Sequence, residues 1–313
     1  MTASQTLAGW AEGLRLGDVP VGIRAAACLH LLDGVGNAVA AARVGVVDPV
    51  LAVATGLGGP PEATILGRDT RVGAPAAGLA NGALVHALDF DDTHAGGLVH
   101  ATAAVLPAAF AVGQQVGAAG SDVLRAVIVG YEVVCRIAAA SPHGFHARGL
   151  HATYVCGVFS AAVVACELAG LGSDIGANAM GIAGSASGGL LEFLNAGSST
   201  KQLHPGMAAL SGIVAARLAA AGASGPSSVL EGDKGLYAAL SARPAQVERV
   251  TAGLGRDWSL PGVAIKPYPA CQLLHVTLDA TATVLAEVGD HDRVAGVVAY
   301  VHPDSAAVVC EPK

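Results

Sequence analysis

The chain has 313 residues, 53% of them hydrophobic and only 13% charged, which supports a large core and excludes global disorder. A formal net charge of -7 and 4% aromatic residues supply neither the basic field that neutralises phosphates nor the rings that stack bases, so nucleic-acid binding is excluded as an expectation. A small anionic substrate stays compatible with that charge, because a few clustered cations outweigh a mean. The mean hydropathy of +0.55 raises the question of a membrane span. Its least polar stretch, residues 101–120, contains Pro107, Gln114, Gln115 and three glycines, and is flanked by His100 and Asp122, not by basic anchors. It reads as a buried helix, and no membrane partner is expected.

In chain order, the first segments read as helices separated by glycine and proline. Thr6 to Leu16 is amphipathic, and Pro20 suits the opening of the next helix, through Cys28 and Leu32. Val46 to Leu57 is apolar and ends at Gly58-Gly59-Pro60-Pro61. Pro75 opens a helix over Ala76 to Leu88, and Ser121 is the expected N-cap of Asp122 to Ala139. Further helices are expected at Val155 to Ala169, Gly172 to Leu194 and Gly206 to Ala221, and later at Val276 to Val288. The β-branched runs Arg293 to His302 and Ala306 to Cys310 read as strands. The expectation is therefore a mainly α protein, with a large all-α domain over residues 1–262 and the start of a smaller α/β unit over 263–313. Two strands and one helix do not complete a sheet layer, so that second unit reads as incomplete. No basic region precedes an apolar one at the N-terminus, and the six scattered cysteines form no CxxC pair, as expected of reduced thiols in a cytoplasmic protein.

The densest chemistry lies in His86-Ala87-Leu88-Asp89-Phe90-Asp91-Asp92-Thr93-His94. Three carboxylates this close repel one another and need solvent, hydrogen bonds or cations to stay charged. A helix end turning into a polar loop would give the same cluster. Histidine and aspartate are also metal ligands, although the spacing matches no specific metal motif. Asp89-Phe90-Asp91-Asp92-Thr93 literally meets a phosphatase nucleophile pattern, DxDxT, but that chemistry needs the first aspartate at the end of a buried strand, and residues 79–86 read as a helix.

The segment from Asn81-Gly82 to Val105-Leu106-Pro107 resembles the MmgE/PrpD family of 2-methylcitrate dehydratases, cis-aconitate decarboxylases and iminodisuccinate epimerases. The resemblance continues in Gly149-Leu150-His151-Ala152-Thr153, in Gly181 to Gly189, in Thr200-Lys201-Gln202-Leu203-His204-Pro205-Gly206, and in Lys266-Pro267-Tyr268-Pro269-Ala270-Cys271 with His275. These blocks keep family order along nearly the whole chain. The spacing from Thr93 to His100 is one residue longer than in the decarboxylase branch, with Gly96-Gly97 taking up the difference.

The resemblance implies a helical domain joined to a smaller α/β lid, a cytoplasmic homodimer without metal or organic cofactor, and a small di- or tricarboxylate substrate. It further implies pocket residues Asp89, Thr93, His100, His151, Lys201 and Lys266. Family members continue beyond the position of Lys313, so the lid is expected to be partial. In that setting Lys201 and Lys266 would stabilise negative charge, and His100 and His151 would move protons. Asp89 would orient a histidine or lysine and raise its pKa, or bind a substrate hydroxyl directly, and Thr93 would donate to a carboxylate oxygen. Ser185 and Ser187 in the glycine-rich stretch fit a close helix crossing better than catalysis, His204 is expected to shape a loop, and Cys271 has no partner marking it as a nucleophile. The leading expectation is a hydro-lyase acting on 2-methylcitrate or a related hydroxy acid. Decarboxylation of cis-aconitate and epimerisation are alternatives, and a non-catalytic helical dimer is the alternative of a different class.

Overall fold

Alanine and glycine occupy many of the positions where helices meet, so backbones approach closely and a few crossings decide where the site residues lie. The computed structural model describes residues 1–289 and 291–310. The first helices are α1 (Ala3–Gly13), α2 (Val21–Val44) and α3 (Asp48–Leu57). A two-stranded antiparallel pair, β1 (Ala63–Thr64) with β2 (Arg71–Val72), precedes α4 (Ala74–His86). Then come β3 (Thr93–His94), α5 (Ala101–Val116), α6 (Gly120–Ala139), the short α7 (Gly144–Ala147) and α8 (Ala152–Leu168). The bundle continues through α9 (Ser173–Gly184), α10 (Phe193–Ala196) and α11 (Thr200–Ala220) to the short α12 (Leu236–Leu240) and α13 (Glu248–Thr251). β4 (Val263–Ala264) pairs antiparallel with β3, and α14 (His275–Glu287) and α15 (Pro303–Val309) follow.

The centre of the bundle is α4, buried at every residue from Ala76 to His86, as expected of a helix that is apolar all round. It packs on α5 and α11, and α8 closes the other side of α5 and α11. The crossing of α4 with α11 rests on glycine. A Cβ placed on Gly82 would lie 2.5 Å from the Gly206 Cα, so neither helix tolerates a side chain there. This contact brings the C-terminal end of α4, with His86, against the first turns of α11, with Lys201 and His204. By length and composition alone α2 and α11 could cross a bilayer. Both instead contribute buried faces to this bundle.

Several expectations need correction. The α11 helix begins at Thr200, not Gly206, and carries Pro205 inside it. Proline in the second turn removes one helical hydrogen bond, and burial of the surrounding turn keeps the helix continuous. The α6 helix starts one residue before Ser121, with Ala119 as N-cap and no side-chain cap. The strands expected late in the chain are not formed. Residues 294–302 take no regular structure, with Val297 and Val298 more than 70% exposed, and Ala306 to Val309 belong to α15. β-Branched composition creates a strand only where a neighbouring edge accepts its backbone bonds, and among the described residues no ladder includes this stretch.

The segment after α13 is fastened to the bundle by a buried ion pair. Glu132 Oε2 accepts from Arg136 Nε at 2.7 Å on α6, Arg136 Nη1 donates to the Ala252 carbonyl at 2.6 Å, and Ser259 N donates to Glu132 Oε1 at 2.7 Å. From there the chain runs directly into β4. A Gly82→Ala substitution should force α4 and α11 apart and lower stability by about 1–3 kcal/mol, the usual cost of overpacking. Urea unfolding checks this, and an unchanged midpoint would show that the crossing has slack.

Candidate active site

Four pieces of backbone meet at the end of α4. The α4 helix stops at His86, and Asp89 then turns the chain with a left-handed φ of 49°, a conformation that aspartate tolerates better than bulkier residues. Asp89 thus sits in a turn after a helix and not at a strand end, which removes the phosphatase reading. The next residues form β3, whose pairing Thr93–Ala264 and His94–Val263 holds β4 alongside and delivers Lys266 two residues later. Two further helices, α5 and α8, begin at the site with His100 and His151 as their N-caps, and His100 N donates to Thr153 Oγ1 at 3.1 Å to tie those two starts together. The first turn of α11 supplies Lys201. Three helices therefore begin among these residues, and the positive ends of their dipoles favour negative charge there.

Asp89, His100, His151, Lys201 and Lys266 come together, and Thr93 lies near them in the chain, in β3. Lys201 and Lys266 both grip Asp89. Lys201 Nζ lies 2.8 Å from Asp89 Oδ2, while Lys266 Nζ lies 2.8 Å from Oδ1 and 2.7 Å from the Asp89 carbonyl. The Lys266 side chain is fully buried, whereas Asp89 and Lys201 keep about a quarter of theirs exposed. Burial works to raise the Asp89 pKa, but Lys201, His100 and Lys266 outweigh it and hold the carboxyl well below the usual range. Thr93 is buried, and its Oγ1 has no hydrogen-bond partner among the described residues.

A second layer, largely missed by the sequence reading, surrounds these residues. Asp91 Oδ2 accepts from His86 Nδ1 at 2.8 Å and lies 3.4 Å from His100 Nδ1, which donates to the Asp92 carbonyl at 3.1 Å. Asp92 is anchored to α2 and α5 through His30 Nδ1 at 2.6 Å, Thr102 N at 3.0 Å and the Thr102 hydroxyl, itself 2.5 Å from the Tyr131 hydroxyl. His151 Nδ1 shares a hydrogen bond of 2.9 Å with His204 Nδ1, so His204 is a partner of the site and not a loop-shaping residue. The glycine-rich stretch serves position: Gly189 O accepts from His151 N at 2.7 Å, and Ser187 Oγ donates to the Val155 carbonyl. Cys271 is half-buried and unbonded to another cysteine.

Several of the buried histidines here are held neutral. Burial pushes His151 well below the ordinary histidine range, aided by His86, His100, His204 and Lys201, and it brings His204 and His146 down to about 4. Burial also lowers His86 despite the adjoining Asp91; burial works to raise Asp91 in turn, but the nearby His86 and His100 outweigh it and hold that carboxyl well below the usual range. One nitrogen from each of His86, His100 and His151 lies within 4.8 Å of the others, and Asp89, Asp91 and His100 make a second such group. Both could in principle hold a cation, but in the second group Asp89 already spends both its oxygens on lysines.

The fold and site define a helical protein that sets two lysines and buried histidines of lowered pKa beside helix N-termini, a combination suited to anions and proton transfer. The chain belongs to the MmgE/PrpD family: the family model of the MmgE/PrpD N-terminal domain matches residues 5–248. A cis-aconitate decarboxylase of Aspergillus terreus is 30% identical over 284 residues, covering 87% of this chain and 58% of its own length. The cis-aconitate decarboxylase of Homo sapiens is 33% identical over 71% of this chain and 47% of its own length, and that of Mus musculus is 30% identical over 90% and 59%. The chain thus spans about half to three-fifths of the length of these curated relatives.

Neutral burial of the histidines sets a pH dependence. The pKa values of His86, His94, His146, His151 and His204 all lie below the unfolded value, so between about pH 6.5 and 4 the unfolded chain binds more protons and stability falls as pH drops. Asp33, pushed up to about 6 by burial and by Asp92 and Asp91, and Glu167, raised by burial, oppose this from two sites against five. The urea midpoint should therefore drop between about pH 7 and 4.5, before the low-pKa carboxyls Asp89 and Asp91 are protonated. A midpoint that is flat or rises over that window would contradict neutral burial.

Proposed function

We propose that this site belongs to a lyase that acts on a small di- or tricarboxylate by acid–base proton transfer. The observation that carries this reading is the convergence of Lys201 and Lys266 on one carboxylate, that of Asp89, beside the neutral His151. A carboxylate held between two ammonium groups supports a site for carboxylates, and a substrate carboxylate entering it would meet the same charges. Breaking a bond next to a carboxylate leaves an electron pair on carbon, which the lysines and helix N-termini would stabilise. His151 and His100 would take or return the proton, and Thr93 has a spare hydroxyl for a carboxylate oxygen.

Two reactions use these parts. In decarboxylation of cis-aconitate, the electron pair of the broken C–C bond stays on carbon, and a histidine proton replaces the departing CO2. In dehydration of 2-methylcitrate, a base removes a C–H proton and an acid protonates the hydroxyl, which leaves as water. The relatives named as cis-aconitate decarboxylases support the first, and the wider motif resemblance supports the second. A cytoplasmic homodimer forms part of the same proposal.

Incubation of the 313-residue chain with each acid, followed by mass spectrometry, should give the dicarboxylate with CO2 or the dehydrated acid. Lys266→Met and His151→Gln should each reduce kcat/KM by about 100-fold or more, the usual effect of losing a charge stabiliser or a proton-transfer group. Turnover of neither acid would leave the non-catalytic helical dimer as the better reading.

A further inference from the structure

Among the described residues, Asp91 is the one carboxylate of the acidic run that no lysine, backbone amide or hydroxyl meets. It is fully buried, and its contacts converge on a single oxygen. Oδ2 lies 2.8 Å from His86 Nδ1 and 3.4 Å from His100 Nδ1, while Oδ1 is buried without a hydrogen-bond partner. A buried carboxylate compensated only by imidazoles favours a proton on one of those rings. His86 is the poorer carrier, because its side chain is fully buried and burial lowers its pKa. His100 keeps 12% of its side chain exposed.

The His100 ring is also fixed in direction. Its Nδ1 meets two acceptors, the Asp92 carbonyl at 3.1 Å and Asp91 Oδ2, so Nδ1 carries a proton and Nε2 the lone pair of the neutral ring. Asp92 is itself held by His30 and Thr102, and His100 N donates to Thr153 Oγ1, so both ends of that contact are anchored. His151 lacks this constraint: its Nδ1 meets another imidazole nitrogen, His204 Nδ1, and either ring could be the donor. Of the other titratable groups that face His100, Asp89 is taken up by Lys201 and Lys266, and burial holds His146 and His151 neutral.

We propose that Asp91 is a positioning residue for His100: it holds the Nδ1–H and stabilises the imidazolium that forms when Nε2 takes a proton, and His86 keeps Asp91 in place. This rests on the lyase reading given above. In dehydration the Nε2 lone pair takes the C–H proton, and the C–H electron pair stays with the substrate. In decarboxylation the protonated ring gives its Nε2 proton to the carbon that keeps the pair of the broken C–C bond. Both routes pass through a positively charged His100 ring, with the Asp91 charge behind it.

The test compares the wild-type 313-residue chain with Asp91→Asn. An amide nitrogen in place of Oδ2 would face two N–H donors, so the asparagine keeps its oxygen there and loses the charge but not the hydrogen bonds. On whichever of cis-aconitate and 2-methylcitrate the wild type turns over, Asp91→Asn should lower kcat about 10–100-fold and change KM by less than about threefold. Rates are taken per folded molecule, with the folded fraction read by urea unfolding. A second measurement does not depend on how the variant folds. Ring-nitrogen NMR of the 15N-histidine wild type at about pH 8.5, above the ordinary histidine range, should place the His100 proton on Nδ1, with its signals identified by their loss in His100→Gln. A proton on His100 Nε2 overturns the inference whatever the activity. An unchanged kcat in folded Asp91→Asn overturns it and leaves the lyase reading intact, whereas turnover of neither acid by the wild type overturns both.

Discussion

Everything at this site is arranged around one electrostatic fact: two lysines from distant parts of the chain share the carboxylate of Asp89. A buried ammonium is costly unless a charged partner meets it, and Lys266 is fully buried. Asp89 meets that need with a carboxylate oxygen and its own carbonyl, while the other oxygen holds Lys201. The bridge therefore joins the turn after α4, the start of α11 and the segment following β4. Removing Asp89 would leave one buried and one mostly buried cation without their shared carboxylate, so the residue has a structural role.

The bundle makes that bridge possible through close approach. Gly82 against Gly206 sets the distance between α4 and α11, and the pairing of β3 with β4 sets where Lys266 enters. Around the bridge, polar groups are buried in linked pairs: Asp92 with His30 and Thr102, Asp91 with His86, and His151 with His204. Each pair satisfies groups that would otherwise be unpaired in a low-dielectric interior, and together they leave specific nitrogens turned inward. Low histidine pKa values follow from the same burial that makes the scaffold firm.

Much of this was legible in the sequence, and the divisions are physical. Helices were readable because the Gly and Pro punctuation and apolar runs are local, and the site residues because their motifs resemble a family. The partnership of Lys201 and Lys266 on Asp89 was not readable, since 65 and 112 positions separate the three. His86, Asp91 and Asp92 were visible as an acidic, histidine-flanked cluster, but nothing local shows that Asp92 turns towards His30 on α2 while Asp91 turns towards His86. His204 was misjudged because its partner, His151, lies 53 residues away. The late strands failed for the complementary reason: Val294, Val297 and Val298 carry a strand-like composition, but pairing is a property of two segments and not of one.

The central claim is that the Lys201–Asp89–Lys266 bridge marks the place where a substrate carboxylate binds. The most direct measurement is a crystal structure of this chain with cis-aconitate bound. The account predicts a ligand carboxylate within hydrogen-bond distance of both Lys201 Nζ and Lys266 Nζ, with His151 facing the carbon skeleton. A ligand seated elsewhere, with the bridge and the histidine cluster untouched, would contradict it.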